Sequence, residues 1–506
     1  MTQFDLPRCT PEEIGLSSTQ VASCIQALNH DLTTMNGFMA ARYGKVFAEC
    51  WWSPFRAGLV HSNHSFGKSY TATAICIAQQ EGKLHLDERM ADIFAEEIAS
   101  RNLRLDERTR RITIRHVLTM TNGMVHHPDM AGDWIGNYFA TPMAHEPGTY
   151  FAYNSAGSCM LGAIILKRTG QNLKEYLTPR LFDKIGIDAN RFVWCKFPNG
   201  IDGEPGTFAT TEDNLRLAQL YCNGGVWSGE QILDSNFVQE ALSVQIENPY
   251  APEQKDGRCG YGYQLWACSI PGVFRFDGGQ GQYGILWPEK QLVISLHEGA
   301  FAPVGPQKTL DVLYEHLLLP MLDEPLPTAD KEYRALLALE NAQTLTRGDV
   351  GSTLPDDGWN GTYSVQSGVF DPWFAVAPPG VGDLFAAFRA PEYDRRIHSF
   401  TLWVLAGQVS LTLDSGAEIY AYLDGTLHEC AVPTPFPALS AYAATARLLP
   451  DGALELRICW LNGWFETMLL FAQSESGLAV TMKKLRLNAA DNYLIETCFA
   501  VRQSCV

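Results

Sequence analysis

Two hydrophobic patterns divide the chain near residue 325. Before that point apolar residues come in helix-length runs separated by short strand-like segments. The run Ser69-Tyr70-Thr71-Ala72-Thr73-Ala74-Ile75-Cys76-Ile77-Ala78 has the content of a buried helix and breaks at Gly82. A second apolar run, residues 159–167, stops at Gly170. Thr10-Pro11-Glu12-Glu13 is a capped start and predicts a helix to about His30. Residues 38–52 read as a strand hairpin turning at Tyr43-Gly44-Lys45, and residues 283–287 and 292–296 as further strands. Residues 309–319 predict a closing helix capped by Thr309 and stopped at Pro320. The acidic, proline-containing stretch 322–328 follows as a boundary. Beyond about residue 350 the period changes to two, as in Val409-Ser410-Leu411-Thr412-Leu413 and Leu454-Glu455-Leu456-Arg457-Ile458. Asp424-Gly425 and Asp451-Gly452 read as hairpin turns, and Trp359, Trp373, Trp403, Trp460 and Trp464 as parts of a β core.

These patterns give a domain over residues 1–325, a linker over 326–349 and a β-rich domain over 350–506. The last is expected to be an antiparallel sandwich or barrel, with a lipocalin-like shape as one form of it. At 506 residues and 46% hydrophobic content, the chain has material for more than one core. A net charge of −18 argues against nucleic acid or an anionic membrane as partner. The 13 cysteines are odd in number, scattered, and often within apolar runs, where a free thiol acts as a small hydrophobe. That usage favours a reducing compartment. The first residues carry no basic and apolar leader, and no apolar run nears the ~18 residues needed to span a bilayer. The expected location is cytoplasmic.

The candidate chemistry begins at Ser65-Phe66-Gly67-Lys68, at the head of the first apolar helix. At helical spacing Ser65 and Lys68 share one face of the first turn. A serine hydroxyl needs a base to become a nucleophile, and a neutral lysine serves when burial disfavours its ammonium. Free N–H groups at the same helix start can hold an oxyanion. Two other clusters add to this. Pro147-Gly148-Thr149-Tyr150-Phe151-Ala152-Tyr153-Asn154-Ser155 presents a tyrosine in a turn before a helix. Phe276-Asp277-Gly278-Gly279-Gln280-Gly281-Gln282 places glycines at a strand edge, where a ligand can approach the backbone. Three decoys fail. Gly67-Lys68-Ser69 lacks the earlier P-loop glycine, Ser62 standing there; the glycines at 279, 281 and 284 lead into strands rather than a helix. His126, His127 and Asp129 read as a loop at the pocket rim, and the absence of H-E-x-x-H and C-x-x-C leaves a zinc site unsupported.

Together the three clusters resemble those of the penicillin-recognising serine hydrolases: class C β-lactamases, DD-peptidases and related esterases. Supporting segments are Glu81-Gly82-Lys83-Leu84-His85-Leu86-Asp87, the stretch 114–124, Asn223-Gly224-Gly225-Val226-Trp227 and Tyr261-Gly262-Tyr263-Gln264-Leu265-Trp266. The similarity spans roughly residues 10–320. It implies an α+β fold, with an antiparallel sheet flanked by helices plus an all-helical part, in which residues 260–300 return beside 36–52. It also implies an acyl-enzyme on Ser65 with Lys68 and Tyr153 as a coupled base, and an oxyanion hole from the N–H groups of Ser65 and Gly279 (or Gln280). Two departures stand out. The family's Tyr-x-Asn is Tyr153-Asn154-Ser155 here. Its Lys-Thr-Gly or His-Thr-Gly is replaced by Phe276-Asp277-Gly278 or Asp277-Gly278-Gly279, which brings no cation and an Asp277 that would repel a substrate carboxylate.

The resulting expectation is a serine hydrolase acting on an ester or amide of a small substrate, with no cofactor and no metal. Asn154, Ser155, Gln280, His126 and Trp134 are the candidate substrate contacts, with Tyr138, His127 and Trp266 as further pocket residues. An acyltransferase using the same acyl-enzyme and a non-catalytic binding protein on the same fold are the alternatives. The reading is compatible with a homo-oligomer.

Overall fold

The computed structural model describes residues 6–30, 34–130, 132–197, 199–250, 254–299, 305–345, 358–372, 397–431, 441–463, 466–485 and 493–503. Trp373 and Trp464, expected in the β core, lie outside them. The chain forms two compact units. The first comprises Met1–Cys50 and Ser62–Ala342, the second Trp51–His61 and Gln343–Val506.

In the first unit the strands β1 (Met35–Arg42), β2 (Lys45–Trp51), β3 (Trp266–Ala267), β4 (Phe274–Gly278), β5 (Gln282–Trp287) and β6 (Leu292–Glu298) form one sheet in the order β2-β1-β6-β5-β4-β3. The hairpin at Tyr43-Gly44 is present, and β1 runs antiparallel to β6, with Phe38 opposite Leu296. Residues from the two ends of the unit therefore meet at the sheet centre, as the resemblance implied. Every residue of β1 and of β6 is buried, so helices must cover both faces.

Helices of this unit include α1 (Ser18–Leu28), α2 (Gly67–Gln80), α3 (Ser155–Thr169), α4 (Thr211–Cys222), α5 (Gly305–Leu313) and α6 (Asp330–Asn341). The first expected helix is in fact two pieces. A 3-10 turn at Pro11–Ile14 ends at Gly15 with φ 85°, and α1 starts afresh with Ser17 as cap. Gly15 cannot be replaced cheaply, since a Cβ there would lie 2.3 Å from the carbonyl oxygen of Leu322. Thr309 is not a cap either. It lies inside α5, where its hydroxyl donates to Glu298 Oε2 at 2.9 Å, and a π-helical turn over Tyr314–Leu318 completes the segment. The 326–349 stretch contains α6. Arg42, buried in β1, donates to the carbonyls of Ile14 and Leu322, both at 2.6 Å, and so ties the boundary segment to the sheet.

In the second unit ten strands among the described residues form an antiparallel, near-closed barrel. They are β7 (Gly361–Gly368), β8 (Ser399–Leu405), β9 (Gln408–Leu413), β10 (Glu418–Tyr422), β11 (His428–Ala431), β12 (Ala441–Leu448), β13 (Leu454–Trp460), β14 (Glu466–Ser474), β15 (Gly477–Leu485) and β16 (Tyr493–Arg502). Alternation is clear in β9, where Val409, Leu411 and Leu413 are buried between half-buried neighbours. Asp451-Gly452 joins the paired strands β12 and β13, a hairpin as expected. Asp424-Gly425 does not make a ladder hairpin. It joins β10 and β11, the two ends of the strand order. Side chains rather than a backbone ladder bridge that seam: Tyr442 OH donates to Glu418 O at 2.7 Å and Thr445 Oγ1 to Tyr422 O at 3.3 Å. Residues 51–61 belong to this unit. Phe55 packs with Ala441, Ala443, Cys459 and Leu461, and Arg56 makes a two-pronged pair with Glu429 at 2.7 and 2.8 Å.

One buried carboxyl in α6 makes the stability of the first unit pH-dependent. Glu340 accepts from the Glu49 N–H at 3.3 Å, but burial, with the nearby Glu49 charge, pushes it from 4.5 up to about 8. The folded state therefore keeps the proton longer than the unfolded chain does. Its penalty is absent below about 4.5, grows as pH rises, and is complete above about 8. Glu340→Gln is expected to flatten the fall in melting temperature between about pH 5 and pH 8 and to raise it at the upper end, as read by thermal unfolding across that range.

Candidate active site

The nucleophile candidate sits at a helix start that distant parts of the chain hold in place. A 3-10 turn, His64–Phe66, runs directly into α2. Gly67 opens the helix because a Cβ there would meet Thr207 Oγ1 at 2.5 Å. His64 takes a left-handed φ of 48°, a conformation that side-chain-bearing residues rarely adopt without support. Support comes from a buried polar network. Asn214 Nδ2 on α4 donates to Asn63 Oδ1 at 2.8 Å, and Asn63 Nδ2 donates back to Asn214 Oδ1 at 3.3 Å. Tyr70 OH on α2 also donates to Asn214 Oδ1, at 3.1 Å. His297 on β6 joins through Asn214 Nδ2 at 3.0 Å and Thr211 Oγ1 at 3.2 Å. Asn63 and Asn214 are wholly buried.

On this base Lys68, 1% exposed, places Nζ 2.8 Å from Ser65 Oγ. Ser65 itself remains partly exposed. Lys68 Nζ lies 5.0 Å from the centroid of the Tyr153 ring, and that ring stacks on Trp266 at 5.8 Å. Trp266 in turn carries the Arg275 guanidinium at 5.6 Å from its centroid. Arg275 Nε pairs with Asp277 Oδ2 at 2.6 Å, two residues along the same face of β4. Just beyond, a Cβ on Gly278 would lie 2.1 Å from Asn63 O, and one on Gly279 would lie 3.8 Å from the His64 ring. The contacts thus return to the nucleophile turn. Ser65, Lys68, Tyr153, Trp266, Arg275–Asp277 and Gly279 border one site. Burial raises the Asp277 carboxyl, against the pull of Arg275 and Lys68.

Other sequence candidates separate into groups. Gln280 is near the same edge, with φ 70° and 8% exposure. Ser155 starts α3, and its N–H donates to His127 Nε2 at 3.0 Å. His127 Nδ1 faces the Pro128 carbonyl at 2.7 Å, an arrangement that fits the neutral ring, and partial desolvation lowers its pKa although the residue keeps solvent contact. His126 is exposed, with Nδ1 against the His127 carbonyl at 3.0 Å. Asn154 is not placed as a substrate contact. It is buried as the cap of α3, accepting the Gly157 N–H at 2.9 Å while Nδ2 lies 3.3 Å from Met124 Sδ. Trp134 is 2% exposed against Phe197, and the Tyr138 hydroxyl donates to Asn122. Both are core residues, because helical spacing turns them inward. Asn63, Asn214, His297 and Arg275 were missed by sequence reasoning; for Arg275, the period-two spacing to Asp277 was the available signal.

A serine joined to a buried lysine at the start of a helix, beside an antiparallel sheet with terminal strands paired, defines the class of β-lactamase-fold serine hydrolases. The family model described as Beta-lactamase matches residues 37–297, and the chain belongs to that family. Among individual proteins it is similar to "Penicillin-binding protein 4" of Amycolatopsis lactamdurans, 28% identical over 204 residues, or 33% of this chain and 52% of that protein. The match thus spans about half the length of that relative. Of solved structures, a putative 6-aminohexanoate-dimer hydrolase from Bacillus anthracis gives a TM-score of 0.49 at 17% identity, covering 64% of this chain and 89% of that one. An octameric penicillin-binding protein homologue from Pyrococcus abyssi gives 0.46 at 15% identity, covering 94% and 99%.

Two substitutions test this geometry. Asn214→Ala leaves Tyr70, Asn63 and His297 short of partners and is expected to cost about 2–3 kcal/mol in thermal unfolding. Gly278→Ala drives β4 off the Asn63 carbonyl. It is expected to slow fluorophosphonate labelling of Ser65 at least tenfold while the far-ultraviolet circular dichroism stays unchanged (a tenfold change being about 1.4 kcal/mol); labelling at the native rate refutes the close approach.

Proposed function

We propose that the protein hydrolyses an ester or amide bond of a small substrate through an acyl-enzyme on Ser65. The observation that carries this reading is the 2.8 Å contact between a buried Lys68 Nζ and Ser65 Oγ. In the proposed cycle Ser65 Oγ attacks the substrate carbonyl while Lys68, coupled to Tyr153, takes the hydroxyl proton. The N–H groups of Ser65 and Gly279 hold the oxyanion, each such donor typically contributing roughly 3 kcal/mol to transition-state stabilisation. Collapse expels the alcohol or amine, which receives the proton from the same base. Water then attacks the acyl-enzyme by the reverse sequence, freeing the acid and Ser65.

The substrate side of the reading follows from charge. Asp277 stands near Lys68 in the third cluster, and its partner Arg275 is buried and already bonded to the Asp256 and Ala267 carbonyls at 3.0 and 3.3 Å. A substrate carboxylate meets no free cation on β4. This supports an esterase or amidase rather than a β-lactam-recognising enzyme, despite the name of the relative. A cytoplasmic location is part of the proposal, supported by twelve free cysteines among the described residues, ten of them buried.

Intact-protein mass spectrometry tests it, after exposure to a fluorophosphonate, a short-chain p-nitrophenyl ester and a penicillin. The expected result is a fluorophosphonate adduct and ester turnover, both lost in Ser65→Ala, with no lasting penicilloyl adduct. Turnover retained by Ser65→Ala overturns the nucleophile; a stable penicilloyl adduct overturns the substrate assignment.

A further inference from the structure

Asp277 does more than exclude carboxylates. Its Oδ2 is taken by Arg275 Nε at 2.6 Å, while Oδ1 makes no hydrogen bond among the described residues. The side chain keeps 24% exposure, against 4% for Arg275. The two residues therefore differ in access to the site. Arg275 is held beneath by the Asp256 and Ala267 carbonyls and by the face of Trp266. Asp277 is the more accessible member of the pair. The ring of contacts already traced, from Ser65 through Lys68, Tyr153 and Trp266 to Arg275 and back through Gly279, puts this carboxylate on the border of the reacting site.

Resting on the Ser65 acyl-enzyme reading, we propose that Asp277 is a specificity-determining residue that selects substrates bearing a protonated amine. The physical reason is a match of roles. A carboxylate oxygen without a protein partner accepts strong, charge-assisted hydrogen bonds from an ammonium group. Arg275 behind it opposes the burial that raises this carboxyl and fixes its orientation through Oδ2, leaving Oδ1 for the ligand. A carboxylate substrate has to approach Asp277 itself or displace it from Arg275. A neutral alkyl group leaves Oδ1 to water. Selection therefore runs in the order ammonium, neutral, carboxylate.

The pair also predicts what uncovering Arg275 does. Asp277→Asn removes the acceptor charge and leaves a guanidinium without its counter-ion on the site's border. The preference should then invert toward a carboxylate, not merely vanish.

The experiment measures kcat/KM for three p-nitrophenyl esters with acyl chains of equal length, ending in a primary ammonium, a methyl group or a carboxylate. The wild type is expected to favour the ammonium ester over the methyl ester by about tenfold, in line with a charge-assisted hydrogen bond. Asp277→Asn should lose that preference and turn over the carboxylate ester better than the wild type does. The double variant Arg275→Met with Asp277→Asn, which buries no unpaired charge, should lose the ammonium preference without gaining the carboxylate one. It keeps the test decisive if the single variant fails to fold. Ser65-dependent turnover of all three esters at equal rates, or an ammonium preference that survives both variants, overturns this inference and leaves the hydrolase reading intact. No Ser65-dependent turnover of any ester defeats the hydrolase reading and this inference with it.

Discussion

The turn that carries Ser65 hangs on a reciprocal pair of side-chain amides. Asn63 lies two residues before Ser65, and Asn214, 151 residues later, satisfies it from the first turn of α4. The turn contains a left-handed His64, which needs surrounding structure to persist. Buried amides are costly when unpaired and rigid when fully paired. Here Asn214 serves the turn, the Tyr70 hydroxyl on α2 and His297 on β6 at once. One residue thus sets the nucleophile helix, the central strand and a covering helix against each other. The 2.8 Å approach of Lys68 to Ser65 depends on that setting.

Charge at the candidate site is arranged on β4. Helix and strand supply a serine, a lysine and backbone N–H groups. What surrounds them is a buried guanidinium capped by a half-exposed carboxylate, flanked by the rings of Tyr153 and Trp266. An ion pair of this kind is weak evidence for stability. Its consequence lies in which charge is the more accessible. Because the carboxylate is outermost, the third cluster presents an acceptor rather than a cation.

The second unit is not a simple C-terminal addition. Residues 51–61, placed in sequence between β2 and the nucleophile turn, belong to it. Phe55 is buried among β12 and β13 residues, and Asn462 Nδ2 donates to the Val60 carbonyl at 2.7 Å. The barrel's core therefore needs a piece of the first half of the chain. Its seam shows the same dependence on side chains, since Tyr442 and Thr445 reach the carbonyls of β10 where no ladder runs.

What was legible in the sequence follows from local periodicity. Three-residue spacing at a helix start puts Ser65 and Lys68 on one face, and alternation marks β9. Gly170 ends α3 because a left-handed φ of 74° suits glycine. Tertiary structure decided the rest, because burial and pairing depend on partners far along the chain. Asn154, read as a substrate contact, became a helix cap once α3 packed. Trp134 became core once its helix was oriented. Asp424-Gly425 became a connection between sheet edges once the barrel fixed strand order. The Asn63–Asn214–His297 network has no local signature, and the spacing of Arg275 to Asp277 marks a shared face but not which of the two is buried. Each exists because folding removes water from polar groups that must then be satisfied within the protein.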